Sequence, residues 1–359
     1  MPAALKRTRT PSPDRLRRSL SPLTPPPPSS RRPSSSKVKL EATSSSAESP
    51  HKSKKLQLLA TYASTSPFPD FARPTPIEAH EVHRLLLSQF PELATKKRKA
   101  DEKNNAAGTC GGVPNVIESL IGMSRHNTSS KNSTGAKRSL DAAFGRNNFA
   151  AIADAPRERV VDAIRHGGLA NKKAGVIQNL LKEIKARHGD YSLQHLASRP
   201  SKSALSDDEI MHELVSYDGV GPKTASCVLL FCLERPSFAV DTHVFRLSKM
   251  LGWVPAKSDR VLAQAHLDAR IPGELKYGLH CGFVKHGRVC PACKAGPSGG
   301  GKVECVLRRW IRERGWEPEE EEGGQDAKVK VEDGVVDILK EEGAETRPRS
   351  RKRIKTEEY

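Results

Sequence analysis

Apolar residues recur three and four positions apart through most of the middle of the chain, the spacing of one buried helix face. Ile77, Val82, Leu85, Leu86 and Phe90 give a first such stripe over residues 76–92. Further stripes fall at 116–123, 136–144, 156–165, 172–187, 206–216, 224–233, 242–251, 258–270, 276–286 and 302–315. Alternation with period two is scarce and the connections are short. The pattern therefore predicts an all-α fold of many short helices, with its globular part spanning 76–316.

The flanks carry no such pattern. Residues 1–60 hold 13 Lys or Arg against 3 Asp or Glu, with many Ser and Pro. That composition cannot bury enough apolar area to offset chain entropy. Residues 1–75 are accordingly expected to be a disordered basic arm that skims phosphates or serves only for solubility. A polar Gly/Asn stretch at about 94–112, opening on the basic cluster Lys96–Lys99, is expected to be a surface insertion. Residues 317–343 hold 11 acidic side chains against 3 Lys, before a basic end at 347–353. Residues 317–359 are expected to be a disordered tail.

Charge and cysteines narrow the partner. The formal net charge is +18 across 359 residues, which favours a polyanion such as double-stranded DNA. No run of about 18 apolar residues exists, so no membrane span is expected. The first residues have no apolar core of a secretory signal. The seven cysteines then suit a reducing compartment, as buried thiols or metal ligands.

The densest chemistry lies at 206–246. Ser206-Asp-Asp-Glu209 is a capping-box pattern before Ile210, Met211, Leu214 and Val215. Gly219-Val220-Gly221 then gives a tight turn, and Pro222 suits the first position of a new helix with Ala225, Val228, Leu229 and Cys232 on its inner face. Free amides at such a helix start, around Gly219, Val220, Gly221 and Thr224, favour a phosphate oxygen. Lys223 stands in the first turn. The positive helix end disfavours a cation there and so favours the neutral amine that nucleophilic attack requires. A solvated lysine paired with phosphate is the plainer reading. Asp241 precedes a helical stripe and suits an N-cap; a carboxylate near the lysine would also accept its proton or stabilise positive charge on a sugar.

Leu214-x4-Gly219-Val-Gly221-x-Lys223-Thr-Ala, followed by Val240-Asp241-Thr-His-Val-Phe-Arg246, resembles the helix-hairpin-helix-GPD DNA glycosylases, in their endonuclease III branch. Asn115–Ser124 resembles that branch's early helix. Gly168-Leu-Ala-Asn171-Lys-Lys-Ala174 resembles its Gly-Leu-x-Asn-x-Lys-Ala segment, which brings Asn171 into the expected DNA contact. The resemblance implies two helical subdomains with a cleft between them, and a base flipped out of the duplex. It implies Lys223 attacking C1′ to give a Schiff base, then β-elimination, with Asp241 assisting. His126 stands where relatives carry a wedging Gln. Oxidised pyrimidines are the default substrate of that branch. A monofunctional glycosylase for mismatched or alkylated bases and a non-catalytic hairpin DNA-binding module are the alternatives.

Four thiols near the end of the domain, Cys281, Cys290, Cys293 and Cys305, resemble the family's [4Fe–4S] ligands. Their spacing, x8, x2 and x11, differs from the family's x6, x2 and x5. Aligning His286-Gly-Arg288 with the family's His-Gly-Arg puts Cys281 inside the preceding helix as a core thiol. Zinc on the same thiols and a metal-free site are the alternatives. Lys96–Lys99 and Arg351–Arg353 suggest an import receptor and a nuclear address, with a mitochondrial one as the alternative. Lys39, Lys330 and Lys355 sit in apolar-Lys-x-Glu patterns that resemble attachment sites for a small ubiquitin-like modifier. A monomer is expected.

Overall fold

In a computed structural model the described residues are 50–62, 65–93, 99–123, 130–197, 205–294 and 303–315. They form helices with no strand among them, so the all-α expectation holds, although the α2–α3 connection runs from residue 90 to 115. In chain order these are α1 (Pro50–Thr61), α2 (Pro76–Gln89), α3 (Val116–Met123), α4 (Ser130–Phe144), α5 (Phe149–Asp154), α6 (Arg157–Ile164) and α7 (Ala170–His188). Then follow α8 (Asp207–Ser216), α9 (Pro222–Cys227), α10 (Thr242–Met250), α11 (Arg260–Arg270), α12 (Gly273–Val289) and α13 (Val306–Glu313). Both helices that begin with a Ser or Thr three residues before Glu are closed by reciprocal capping. Glu78 and Thr75 do this for α2, and Glu209 and Ser206 for α8.

The helices bury two separate apolar clusters. One is built by the stripes of α3 to α9, with Ile117, Leu140, Ile177, Leu214 and Val228 fully covered. The other joins α2 to α10–α13 around Leu86, Leu247, Trp253, Leu279 and Phe283. The chain thus leaves the second lobe after α2, builds the first, and returns at α10. Each covered Leu, Ile, Val or Phe contributes roughly 1.5–3 kcal/mol. A third, small cluster of Met123, Cys227, Leu230, Phe231 and Ala239 draws on both sides of the return.

Two boundaries differ from expectation. Among the described residues helix is already present from Pro50, ahead of the expected start at 76. The charged sequence of α1 hides a stripe in which Leu56 and Leu59 pack on the first cluster. The following segment is also anchored. Ser66 Oγ lies 2.6 Å from His266 Nδ1, and Phe68 and Phe71 set their edges against the same imidazole at 5.5 and 5.6 Å between ring centres.

The described part of the 94–112 stretch is exposed at residues 101–103 but packed at 106–107 and 111–112. Ala106 and Ala107 are buried, and a Cβ on Gly122 of α3 would stand 2.6 Å from that of Ala106. Small side chains allow this approach, and the polar ones satisfy the backbone. Arg146 donates to the carbonyls of Glu102 and Asn104 and clamps the buried Glu118 at 2.9 and 3.0 Å. Lys137 completes that ion cluster, 3.0 Å from Glu118. Ser119 Oγ donates to the carbonyl of Gly111 at 3.0 Å.

Candidate active site

The hairpin forms as its sequence predicts. α8 ends at Tyr217, whose carbonyl accepts the Val220 amide at 3.2 Å. Gly219 turns with φ +81°, against α7; a Cβ there would meet Val176 Cγ1 at 2.4 Å. Gly221 begins α9 with open space around it, and no side chain caps the amides of the first turn. The Val220 side chain is buried in the first cluster, so only its backbone remains for a ligand. Thr224 and Lys223 are half-buried at the helix start.

α9 does not continue as a regular helix. Residues Val228–Cys232 form a π-helical turn, in which the Leu233 amide donates to the carbonyl of Val228 at 3.0 Å. The wider turn divides the helix between clusters. Val228, Leu229 and Cys232 enter the first, while Leu230 and Phe231 enter the small central one. Cys227 joins the central one too and feels the charge of the Lys223 side chain. Burial pushes the Cys227 thiol up to about 12, so it stays a neutral wall beside the amine.

Asp241 caps α10. Its Oδ1 accepts the amides of His243 and Val244, both at 2.8 Å. Burial alone would raise its pKa; His280, the Val244 amide and Lys223 together hold it below the ordinary carboxylate value. His280 is itself buried, which lowers its pKa, and its Nδ1 lies 2.8 Å from the carbonyl of Ala239. A carbonyl only accepts, so Nδ1 carries a proton. Lys223 and His280 thus act on Asp241, and His280 in turn feels Asp241, Lys223 and the exposed Arg288. The thiol of Cys110 belongs to the same neighbourhood, feeling Lys223, Arg288 and Asp241 while burial raises its pKa.

His280 and Cys110 were not legible in the sequence. One sits inside an apolar helix stripe and the other in the stretch that composition assigned to a surface insertion. Asn171 lies exposed at the start of α7, where its carbonyl accepts Arg157 at 2.9 Å. His126 falls among residues outside those described, as do Lys39, Lys330 and Lys355.

The thiol set differs from the expected one. Cys281 lies five residues before His286 on α12, roughly 7.5 Å along the axis, and packs with Cys110 and Tyr277 against the central cluster. Its neighbours are apolar and burial pushes its thiol up to about 12. The atoms that do converge belong to His286, Cys290, Cys293 and Cys305, all buried and all within 4.8 Å of one another. The four-cysteine set that a [4Fe–4S] cluster would take is therefore not assembled, because helical geometry carries Cys281 away from it. The missed partner, His286, had a signal: it precedes Cys290 by four residues, one helical turn.

Comparison with known proteins shows the family. The sequence pattern of the HhH-GPD superfamily of base excision DNA repair proteins matches residues 123–272, which include the hairpin, Lys223 and Asp241. A putative DNA glycosylase of Arabidopsis thaliana is 37% identical over 64% of this chain and 81% of its own length. The chain belongs to the HhH-GPD superfamily. Within it, the chain is a DNA glycosylase of the endonuclease III-like branch. Endonuclease III of Sulfolobus acidocaldarius is 26% identical over 58% of this chain and 89% of its own. The DNA glycosylase/AP lyase ROS1 of Arabidopsis thaliana is 33% identical over 33% of this chain but only 8% of its own length. A non-covalent endonuclease III–DNA complex overlays with a TM-score of 0.49 at 23% identity, covering 67% of this chain and 99% of that one. Among the described residues no helix is long and apolar enough to cross a membrane.

Proposed function

We propose that this glycosylase is bifunctional, excising a damaged base and nicking the strand through Lys223. The observation that carries the reading is that Lys223, at a helix start with no side-chain cap, acts electrostatically on the half-buried Asp241, whose pKa is held below the ordinary carboxylate value. A phosphate grip alone does not require the second residue. The amide-rich turn at Gly219, Val220, Gly221 and Thr224 positions the duplex by its backbone, with Asn171 and His126 as further contacts. The target nucleotide is flipped toward the amine. Asp241 takes a proton from Lys223 and passes it to the departing base, so that it faces the cationic sugar as a carboxylate again. The Nζ–C1′ bond forms as the C1′–N bond breaks, and the base leaves with that electron pair and a proton. Ring opening gives the Schiff base. Loss of a C2′ proton expels the 3′ phosphate, and water frees the lysine. No step uses a metal.

Oxidised pyrimidines are the proposed substrates, and damaged double-stranded DNA is the proposed partner of a monomeric enzyme. A nuclear address through Lys96–Lys99 and Arg351–Arg353, and modification at Lys39, Lys330 and Lys355, complete the reading. The test is incubation with duplexes carrying thymine glycol. Wild-type protein is expected to release the base and nick the strand, and Lys223→Gln to do neither. Base release that persists in Lys223→Gln without nicking would make the enzyme monofunctional.

A further inference from the structure

We propose that His286, Cys290, Cys293 and Cys305 bind a single zinc ion in a closed Cys3His site, in place of an iron–sulfur cluster. The inference stands apart from the catalytic reading, since it uses none of the catalytic residues and lies beyond the matched family region.

The spacing of the ligand atoms selects one ion over a cluster. Cys293 Sγ lies 3.6 Å from Cys305 Sγ, and Cys305 Sγ lies 3.4 Å from His286 Nε2. With Zn–S near 2.3 Å and Zn–N near 2.0–2.1 Å, a tetrahedron sets sulfurs about 3.8 Å apart and sulfur from nitrogen about 3.6 Å. A cubane binds each thiolate to a different iron corner and holds the sulfurs roughly 6 Å apart. All four atoms here lie within 4.8 Å of one another. Three thiolates and one imidazole also form a donor set that favours zinc in a structural, fully occupied site.

The surroundings are built for that role. Gln89 Oε1 lies 2.7 Å from His286 Nδ1. An amide oxygen only accepts, so Nδ1 carries the proton and Nε2 presents its lone pair to the thiols. The Cys290 carbonyl accepts the amides of Cys293 and Lys294 at 3.1 and 2.8 Å, folding the Cys-x2-Cys turn. Met250 Sδ covers Cys293 at 3.8 Å. Arg246 donates to the carbonyls of Cys293 and Gly287, and so ties the site to α10, the helix that Asp241 begins. The ion would thereby pin the end of α12 and the start of α13 onto α2 and α10.

The test is metal and acid-labile sulfide analysis of the full chain, produced with both iron and zinc supplied and purified without oxygen. About one zinc per chain, with no sulfide, is expected. Iron and sulfide in equal, several-fold amounts would overturn the proposal, as would a metal-free protein with Cys293 and Cys305 joined as a disulfide. Cys281→Ser separates the two ligand sets directly: zinc content is expected unchanged, and its loss would contradict the assignment. Cys305→Ser is expected to abolish zinc binding. Should that variant not fold, cobalt exchanged into the wild-type protein reports the same site. A tetrahedral cobalt–thiolate spectrum is expected, and an octahedral one would overturn the proposal.

Discussion

Asp241 Oδ1 accepts the Val244 amide at 2.8 Å, so the carboxylate that faces Lys223 is also the cap of α10. The two roles separate by substitution. Asn caps a helix about as well as Asp, so Asp241→Asn is expected to change stability by less than about 1 kcal/mol. It removes the charge, and base excision is expected to fall on the order of 10²- to 10⁴-fold. Asp241→Ala loses the cap as well and should cost about 1 kcal/mol more in urea unfolding. An Asn variant with near-wild-type excision would reduce Asp241 to a cap.

The hairpin glycines predict opposite phenotypes. Gly219 combines φ +81° with a Cβ position 2.4 Å from Val176. Gly219→Ala is expected to destabilise the protein by about 1–3 kcal/mol, seen as a lower melting temperature. Gly221 has ordinary φ and open space. Gly221→Ala should cost less than about 1 kcal/mol yet weaken duplex binding, because its methyl stands where a phosphate would approach. Unchanged affinity in Gly221→Ala would contradict the placement of DNA at this turn.

The N-terminal segment gives a pH signature. His266 is buried; Nε2 lies 2.6 Å from the carbonyl of Arg73 and Nδ1 accepts from Ser66. Burial lowers its pKa below the ordinary 6.5, against a smaller opposing effect of the Arg73 carbonyl. The unfolded chain then binds a proton before the folded one does. Stability is expected to be constant above about pH 6.5 and to fall below it, by up to about 1.4 kcal/mol per pH unit for this group. Urea titrations from pH 7.5 to 5 should show the loss, with a shallower slope in His266→Gln. An equal slope in the variant would assign the effect to other groups.

The helices were legible where apolar periodicity is uninterrupted. Ile210, Leu214 and Val215 of α8, and Val244 and Leu247 of α10, all face the core that their spacing predicts. Reading by composition failed where few apolar residues do the packing. Leu56 and Leu59 were outvoted by the charges of α1, and the buried Ala106 and Ala107 by their polar neighbours. The hairpin was legible because Gly219, Gly221 and Pro222 each encode a backbone requirement. His280 and Cys110 were not, because their approach to Lys223 and Asp241 depends on how distant segments meet. Cys281 admits two readings: cysteine spacing groups it with Cys290, while the His286-Gly-Arg288 register puts it inside the preceding helix as a core thiol. The second reading holds, since it packs with Tyr277 against the central cluster.

The central claim is that Lys223 is a nucleophile rather than a phosphate contact. Borohydride reduction during incubation with an abasic-site duplex tests it most directly, since a reduced Schiff base survives denaturing electrophoresis. The account predicts a covalent protein–DNA band for the wild-type chain and none for Lys223→Gln. A band of equal intensity in Lys223→Gln, or none in the wild type while DNA is bound, would contradict it.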